Sequence, residues 1–308
     1  MNLARTIAFL LITVAVVPAI AIYSSDPLTL RQTEILNQTV YIYAGLTALC
    51  FVVGELTKNT SQVDKVWSLA PIAYAWNIVY LDGFTDRGVI MAVLVTIWGL
   101  RLTYNFSRRG GYSWKFWIGE EDYRWEVLRN KPMFKDKPLA WTLFNLFFIC
   151  SYQMSLILMF TLPVLLSVDA KDPDINYIDV LASAFMLFFI ILETVADQQH
   201  FVYQTEKYRR KNAGEKLEGI YADGFLSKGL WGKMRHPNYL GEQMIWVCFY
   251  FFSVAATGMW INWTVIGVAL LLVLFYNSSV FSEEITASKY PKYKEYQKKV
   301  PRFIPKLF

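Results

Sequence analysis

Residues 177–200 read YIDVLASAFMLFFIILETVADQQH. The stretch from Val180 to Leu192 carries no charge, and with its flanks it predicts a helix over about 177–203. A hydrocarbon core about 30 Å thick takes roughly 20 apolar residues as helix, so this segment is long enough to cross one. Seven further stretches, at about 6–23, 39–56, 66–81, 88–106, 139–168, 239–257 and 259–281, approach that length or exceed it. The chain is therefore expected to be an all-α, polytopic membrane helical bundle of about eight transmembrane helices, one integral membrane domain over residues 1–308. The number falls to seven if the first stretch is cleaved or peripheral. Arg5 precedes that stretch and Ala19-Ile20-Ala21 resembles a signal-peptide cleavage site, while Pro18 and the continuing apolar run fit a retained anchor. The third stretch is short and carries Pro71, which predicts a kink or tilt. The fifth is long enough to tilt strongly or to run past the bilayer.

Charge distribution orients the bundle. Assigning the connections alternately to two sides places 26 Lys and Arg on one side: Arg5, Lys58, Lys65, eight in 107–138, eight in 204–237 and seven after 281. The other side holds three, Arg31, Arg87 and Lys171. Cytoplasmic connections collect basic residues, so both termini are expected in the cytoplasm. A bacterial inner membrane or the endoplasmic reticulum would give this pattern, and nothing in the sequence indicates an oligomeric state. The net charge of +5 is spread over these connections rather than gathered on a soluble face, which argues against a nucleic-acid partner. Hydrophobic residues make up 55% of the chain and aromatic residues 17%, which suits membrane lipids and an apolar ligand. Cys50, Cys150 and Cys248 each fall inside an apolar stretch and are expected as buried thiols. With only His200 and His236 available, no histidine-rich metal centre is expected, and nothing requires a metal.

Charged side chains inside spans cost about 2.5–3.5 kcal/mol each on insertion scales, so each marks a possible functional site. The candidates are Glu55, Asp64 at a span edge, Arg101, Glu193, Asp197, Glu242, Glu283 and Glu284, most of them toward the cytoplasmic ends. Glu193 and Asp197 are four apart and share a helix face. The densest polar motif is residues 229–242, GLWGKMRHPNYLGE. Pro237 suits a first helical turn, where free backbone donors favour an anion, and Arg235 and His236 add positive charge beside it. Asn238 and Glu242 would share the inner face, and Gly241 would permit close approach of another helix or a ligand. Asp64 could cap the third span, and Arg101 could pair with Asp64 or Glu55.

Three groups of residues carry a resemblance. They are Arg235-His-Pro-Asn-Tyr-Leu-Gly-Glu242, the upstream Glu193…Asp197-Gln-Gln, and the tail Glu283-Glu284…Lys289-Tyr290…Tyr293…Tyr296…Val300-Pro301-Arg302-Phe-Ile304-Pro305. With these the chain resembles the steroid 5-alpha-reductase C-terminal-domain superfamily. Asp64…Trp67, Trp98-Gly-Leu-Arg101-Leu and Glu121-Asp122-Tyr-Arg124-Trp125 place it nearest an uncharacterised bacterial-type branch. The likeness covers about residues 60–308, with the cofactor-binding part over about 190–308.

The resemblance implies NADPH as cofactor, held by Glu193, Asp197, Asn238 and Glu242, with Tyr221, Arg235, His236, Tyr239 and Trp246 lining the same pocket. Arg209, Arg210 and Lys211 would add positive charge for phosphates, or anchor the chain at the membrane surface. The implied reaction is reduction of a lipid-like steroid, sterol or polyprenyl enone, in which hydride reaches a C=C bond while an acid polarises the carbonyl. Asp64 aligns with the acid and Arg101 with an arginine of the fourth span. The steroid enzymes have Gln before that acid and Tyr three residues before that arginine, where this chain has Val63 and Trp98. A similar Arg-His-Pro motif and Glu-Glu tail occur in isoprenylcysteine and phospholipid methyltransferases, which implies S-adenosylmethionine as the alternative cofactor. A non-catalytic lipid-binding membrane protein is the third reading.

Overall fold

A capping box starts the first long helix: the Thr29 hydroxyl accepts from Gln32 N at 3.0 Å, and the Gln32 side chain accepts from Thr29 N at 3.1 Å. The computed structural model describes Val16, Ala21 and residues 27–115 and 119–305, and among the described residues every regular element is helical. In chain order these are α1 (Leu30–Thr57), the short α2 (Gln62–Val66), α3 (Ala70–Asp82), α4 (Asp86–Ser107), α5 (Tyr123–Arg129), α6 (Pro138–Ser167), α7 (Tyr177–Asn212), the single turns α8 (Ile220–Asp223) and α9 (Leu230–Lys233), α10 (Pro237–Thr257), α11 (Val265–Lys289) and α12 (Tyr293–Lys299). Six of them, α1, α4, α6, α7, α10 and α11, are long and apolar enough to cross a membrane.

Expected and observed elements differ at α1, which begins at Leu30 rather than 39, and at three later elements. Most of the first expected span, 6–23, lies outside the described residues. The third becomes α3, whose 13 residues reach only about 20 Å at 1.5 Å per residue. Pro71 does not kink it; it occupies the first turn, where a missing N–H costs nothing. Helix α7 runs on to Asn212, because Glu206 pairs with Arg209 at 2.8 Å and with Arg210 at 2.6 Å, and three basic residues close its last turn. Helix α11 begins at Val265 rather than 259. Gly258 turns the chain at φ 72°, and Asn262 takes the connection out of helix by donating to Ser253 Oγ and accepting from Thr264 N.

The chain forms two compact units, Met1–Ser183 with Cys248–Leu270, and Ala184–Val247 with Leu271–Phe308. In the first, one side of α1 is tied along its length by interhelical polar contacts. Gln32 donates to the Val168 carbonyl, Asn77 donates to Thr39, Tyr43 pairs with Ser155, and Glu55 accepts from Asn145 and Thr142. Helix α6 is the buried centre of this unit, with 83% of its most apolar window withdrawn from the surface. It changes pitch twice, to a π-helical turn over Asn145–Tyr152 and a 3₁₀ turn over Leu162–Ser167. Arg87, expected as a loop cation, is buried in an ion pair with Asp179 at 2.9 Å. Cys50, Cys150 and Cys248 are buried free thiols.

In the second unit, the chain after α12 runs beside the start of α10. Arg235 N donates to Pro301 O at 2.9 Å and His236 N to Arg302 O at 3.0 Å.

Candidate functional site

Within the second unit, Glu193 and Asp197 fall on one buried face of α7, at 4% and 3% exposure. The start of α10 packs against that face so closely that a Cβ on Gly241 would stand 2.7 Å from Glu193 Cβ. Only glycine allows this approach. It brings Asn238 and Glu242, four apart on α10, beside the acids of α7, with Asn238 Nδ2 donating to Asp197 Oδ1 at 3.5 Å. Glu242 accepts from the fully buried Trp246 indole at 3.2 Å. The Asn238 Oδ1 atom is buried with no hydrogen-bond partner among the described residues. Four of the expected cofactor residues thus form one buried, acceptor-rich cluster, and Trp246 orients one of them.

The segment between α7 and α10 is fastened to the same helix. Gln199 Oε1 accepts from Leu230 N at 2.9 Å and the Trp231 indole donates to Ala196 O at 3.0 Å. Gly229, at φ 63°, makes room for the Gln199 amide.

Arg235 and His236 are turned to a different partner. Glu283 accepts from Arg235 Nε at 2.7 Å, from His236 Nε2 at 2.8 Å, from Gln297 at 2.8 Å and from Arg302 at 3.3 Å. Arg235 also donates to the Gln297 carbonyl at 3.0 Å and to that of Val300. An ionised carboxylate only accepts, so His236 carries its proton on Nε2. Burial pushes its pKa below the usual imidazole value, against the pull of Glu283. The ring stacks on Tyr239, which meets Phe275 edge to face at 4.9 Å. This network locks the tail to the start of α10, so these residues set the backbone from which Asn238 projects.

Tyr221 stacks on Tyr203 with ring centroids 5.5 Å apart, and the Arg210 guanidinium covers it at 4.5 Å. Arg209 is shared between Glu206 and Glu215, which offsets the positive charge expected there for phosphates.

Within the first unit, Asp64 lies in the first turn of α2 and does not cap α3, whose preceding residue is Leu69. Its Oδ2 accepts from the Trp125 indole at 3.2 Å. The connection Asn59–Ser61 is zipped to residues 119–122. Asn59 donates to Gly119 O, Glu121 accepts from Thr60 N and its hydroxyl, and Asp122 N donates to Ser61 Oγ. Asp122 is held bidentately by Arg124 at 2.8 and 2.9 Å. Burial and then the neighbouring Asp122 push the Asp64 carboxyl above its ordinary range, against the opposing pull of Arg124, Ser61 and Trp125. Burial also works upward on Asp122, but its Arg124 guanidinium outweighs it and holds the group low.

The segment after α2 packs on α4 on both sides of Arg101 in sequence. Ser68 Oγ bonds Thr103 Oγ1 at 2.7 Å, and a Cβ on Gly99 would collide with Ser68 O. Arg101 itself is half-buried. The partners that sequence reasoning missed are Trp125, Asp122 and Ser61 around Asp64, and Glu283 beneath Arg235. The motif Glu121–Trp125 was visible in the sequence, but its contact with Asp64 spans 61 residues.

A family model described as "Protein of unknown function (DUF1295)" matches residues 50–300. An uncharacterised protein of Schizosaccharomyces pombe is 33% identical over 312 residues, covering 93% of this chain and 88% of that protein. No solved structure matches.

Proposed function

The chain belongs to the DUF1295 family, which is related to the steroid 5-alpha-reductase-like proteins, and on that footing we propose that it is an NADPH-dependent membrane reductase of a lipid-like enone. The buried cluster of Glu193, Asp197, Asn238 and Glu242 is the observation that carries the reading. Its composition fits a nicotinamide ribonucleotide: the carboxylates would accept from ribose hydroxyls, and the orphaned Asn238 Oδ1 would accept from a carboxamide N–H. Trp246 would fix Glu242, and the Arg235–Glu283–His236 network would fix the helix start. NADPH, when bound, supplies the hydride; the protein supplies position and a proton.

Asp64 is the proposed donor of that proton. A neutral carboxyl donates a hydrogen bond to the carbonyl oxygen of an enone and so draws electrons from the C=C bond. Asp64 would pass its proton to the carbonyl oxygen as the β-carbon is reduced, and tautomerisation of the enol so formed would give a saturated ketone. Arg101 would favour the developing oxyanion. The substrate class is apolar with one carbonyl: a steroid, a sterol or a polyprenyl enone. With residues 6–23 as a further span and α3 as a partial one, the bundle would have eight membrane helices and both termini in the cytoplasm.

The test is equilibrium binding to the purified protein in detergent, with NADPH and S-adenosylmethionine as ligands. The reading expects saturable NADPH binding that competes with NADP⁺. Binding of S-adenosylmethionine alone would make the protein a methyltransferase, and binding of neither would leave a lipid-binding role.

A further inference from the structure

The motif Glu121–Trp125 is not used by the cofactor cluster, yet four hydrogen bonds hold it against α2 and the turn before it: two from Thr60 to Glu121, one from Asp122 N to Ser61 and one from the Trp125 indole to Asp64. We propose that this segment is a strap that positions Asp64, with Trp125 fixing Oδ2 as the acceptor so that Oδ1 carries the proton. The proposal rests on the reading of Asp64 as the acid.

The chemistry of the indole decides which oxygen is which. Trp Nε1–H donates and cannot accept, so the oxygen it contacts must act as an acceptor. In the neutral acid that oxygen is the carbonyl, and the O–H stands on Oδ1. Ser61 contributes a second restraint: its hydroxyl bonds Asp64 while its oxygen accepts from the Asp122 N–H. Asp122, kept ionised by Arg124, places a negative charge near the buried carboxyl and makes a second negative charge there unfavourable. The titratable and charged groups facing Asp64 are Cys50 from α1, Lys65 from its own helix, and Asp122 and Arg124 from the strap. Lys65 is itself buried, and burial holds its pKa down, so it is a weak counter-charge.

Two substitutions should act in opposite directions. Trp125→Phe keeps the aromatic bulk and removes a donor that favours the carboxylate, so Asp64 should hold its proton to higher pH. Asp122→Asn removes the repelling charge and frees Arg124, so Asp64 should lose its proton at lower pH. Dicyclohexylcarbodiimide reacts with protonated carboxyls in apolar surroundings, and peptide mass spectrometry of the full-length protein in detergent reads its attachment to Asp64. Expected is modification of the wild type that falls as pH rises, with a midpoint raised in Trp125→Phe and lowered in Asp122→Asn. Midpoints that do not move, or that move together, overturn the strap, as does a wild type unmodified at every pH. Turnover of Asp64→Asn separates the two ideas. Wild-type turnover with opposed midpoints refutes the catalytic reading and leaves the strap standing; lost turnover with fixed midpoints refutes the strap alone.

Discussion

Arg87 Nε stands 2.9 Å from Asp179 Oδ1, with the two side chains 2% and 1% exposed. A second contact joins Nη2 to Oδ2 at 3.0 Å, and the carbonyls of Asp172 and Asp174 accept from Nη1 and Nη2. Breaking such a pair leaves a charge buried without compensation, so Asp179→Ala should destabilise the protein by about 3–5 kcal/mol. The double replacement Arg87→Met with Asp179→Leu should recover much of that loss, because neither charge remains. Thermal unfolding in detergent measures both. A double variant no more stable than Asp179→Ala would assign the stability to the hydrogen bonds on the two carbonyls instead.

Tyr74 presents the opposite case. Its ring is fully buried, and its hydroxyl has no hydrogen-bond partner among the described residues. Removing an unsatisfied polar atom while keeping the ring should be neutral or stabilising, by up to about 1–3 kcal/mol. Tyr74→Phe is therefore expected to melt at or above the wild-type temperature. A drop would mean that the hydroxyl has a partner, such as an internal water.

Length and apolarity made most of the bundle readable, and the misreadings follow from what hydropathy cannot weigh. Trp260, Ile261 and Trp263 look like the start of a span, but Asn262 and Gly258 hold them in a turn. The polar end of α7 looks like a loop, yet Glu206 supports it as helix through contacts three and four residues away. The buried cluster of Glu193, Asp197, Asn238 and Glu242 was legible because the two pairs repeat at helical spacing. The partners of Arg235 and Asp64 were not, because Glu283 and Trp125 lie 48 and 61 residues away and only the fold brings them close.

For the cofactor site, Asn238→Ala and Glu242→Ala should each weaken NADPH binding by roughly 1–3 kcal/mol, the cost of leaving a buried polar group of the ligand unmatched. Asn238→Ala should change stability less than Glu242→Ala, since Glu242 also accepts from the buried Trp246 indole. Isothermal titration and melting curves on the same samples give both quantities. Unchanged affinity in both folded variants would move the nucleotide elsewhere.

Sidedness can be read from chemical access. Most Lys and Arg fall in 107–138, 204–237 and the tail, against Arg31, Arg87 and Lys171 between the other helices. A cysteine placed at Ser227, in a chain where Cys50, Cys150 and Cys248 are replaced, should resist an impermeant maleimide added to intact cells and react after permeabilisation. Labelling from outside would invert the topology.

Asp64→Asn should leave NADPH affinity nearly unchanged and lower turnover by about 10²–10⁴, the usual effect of losing one positioned proton donor. Asparagine keeps the size of the side chain and can still accept from the Trp125 indole, so packing against α5 survives while the acid is removed. The pH dependence follows from the direction of the shift. Burial and Asp122 raise the native pKa of Asp64 above the value of about 3.9 expected in an unfolded chain. Over the window between those two values the native state holds a proton that the unfolded state has released. The stabilisation is complete below the unfolded pKa and is lost as pH rises through the native one. Wild-type turnover should fall as pH rises through the native pKa, as the donor ionises, and wild-type stability should fall with it. The asparagine variant cannot ionise and should lose this component of the pH dependence, becoming relatively more stable than the wild type as pH rises past the native pKa. Melting temperature against pH for the two proteins, with NADPH oxidation on a panel of enone steroids, sterols and polyprenyl carbonyls, tests the sign directly. Parallel stability profiles, or an Asp64→Asn protein that turns over a substrate at the wild-type rate, would remove Asp64 from the chemistry and leave it as a buried anchor for Trp125.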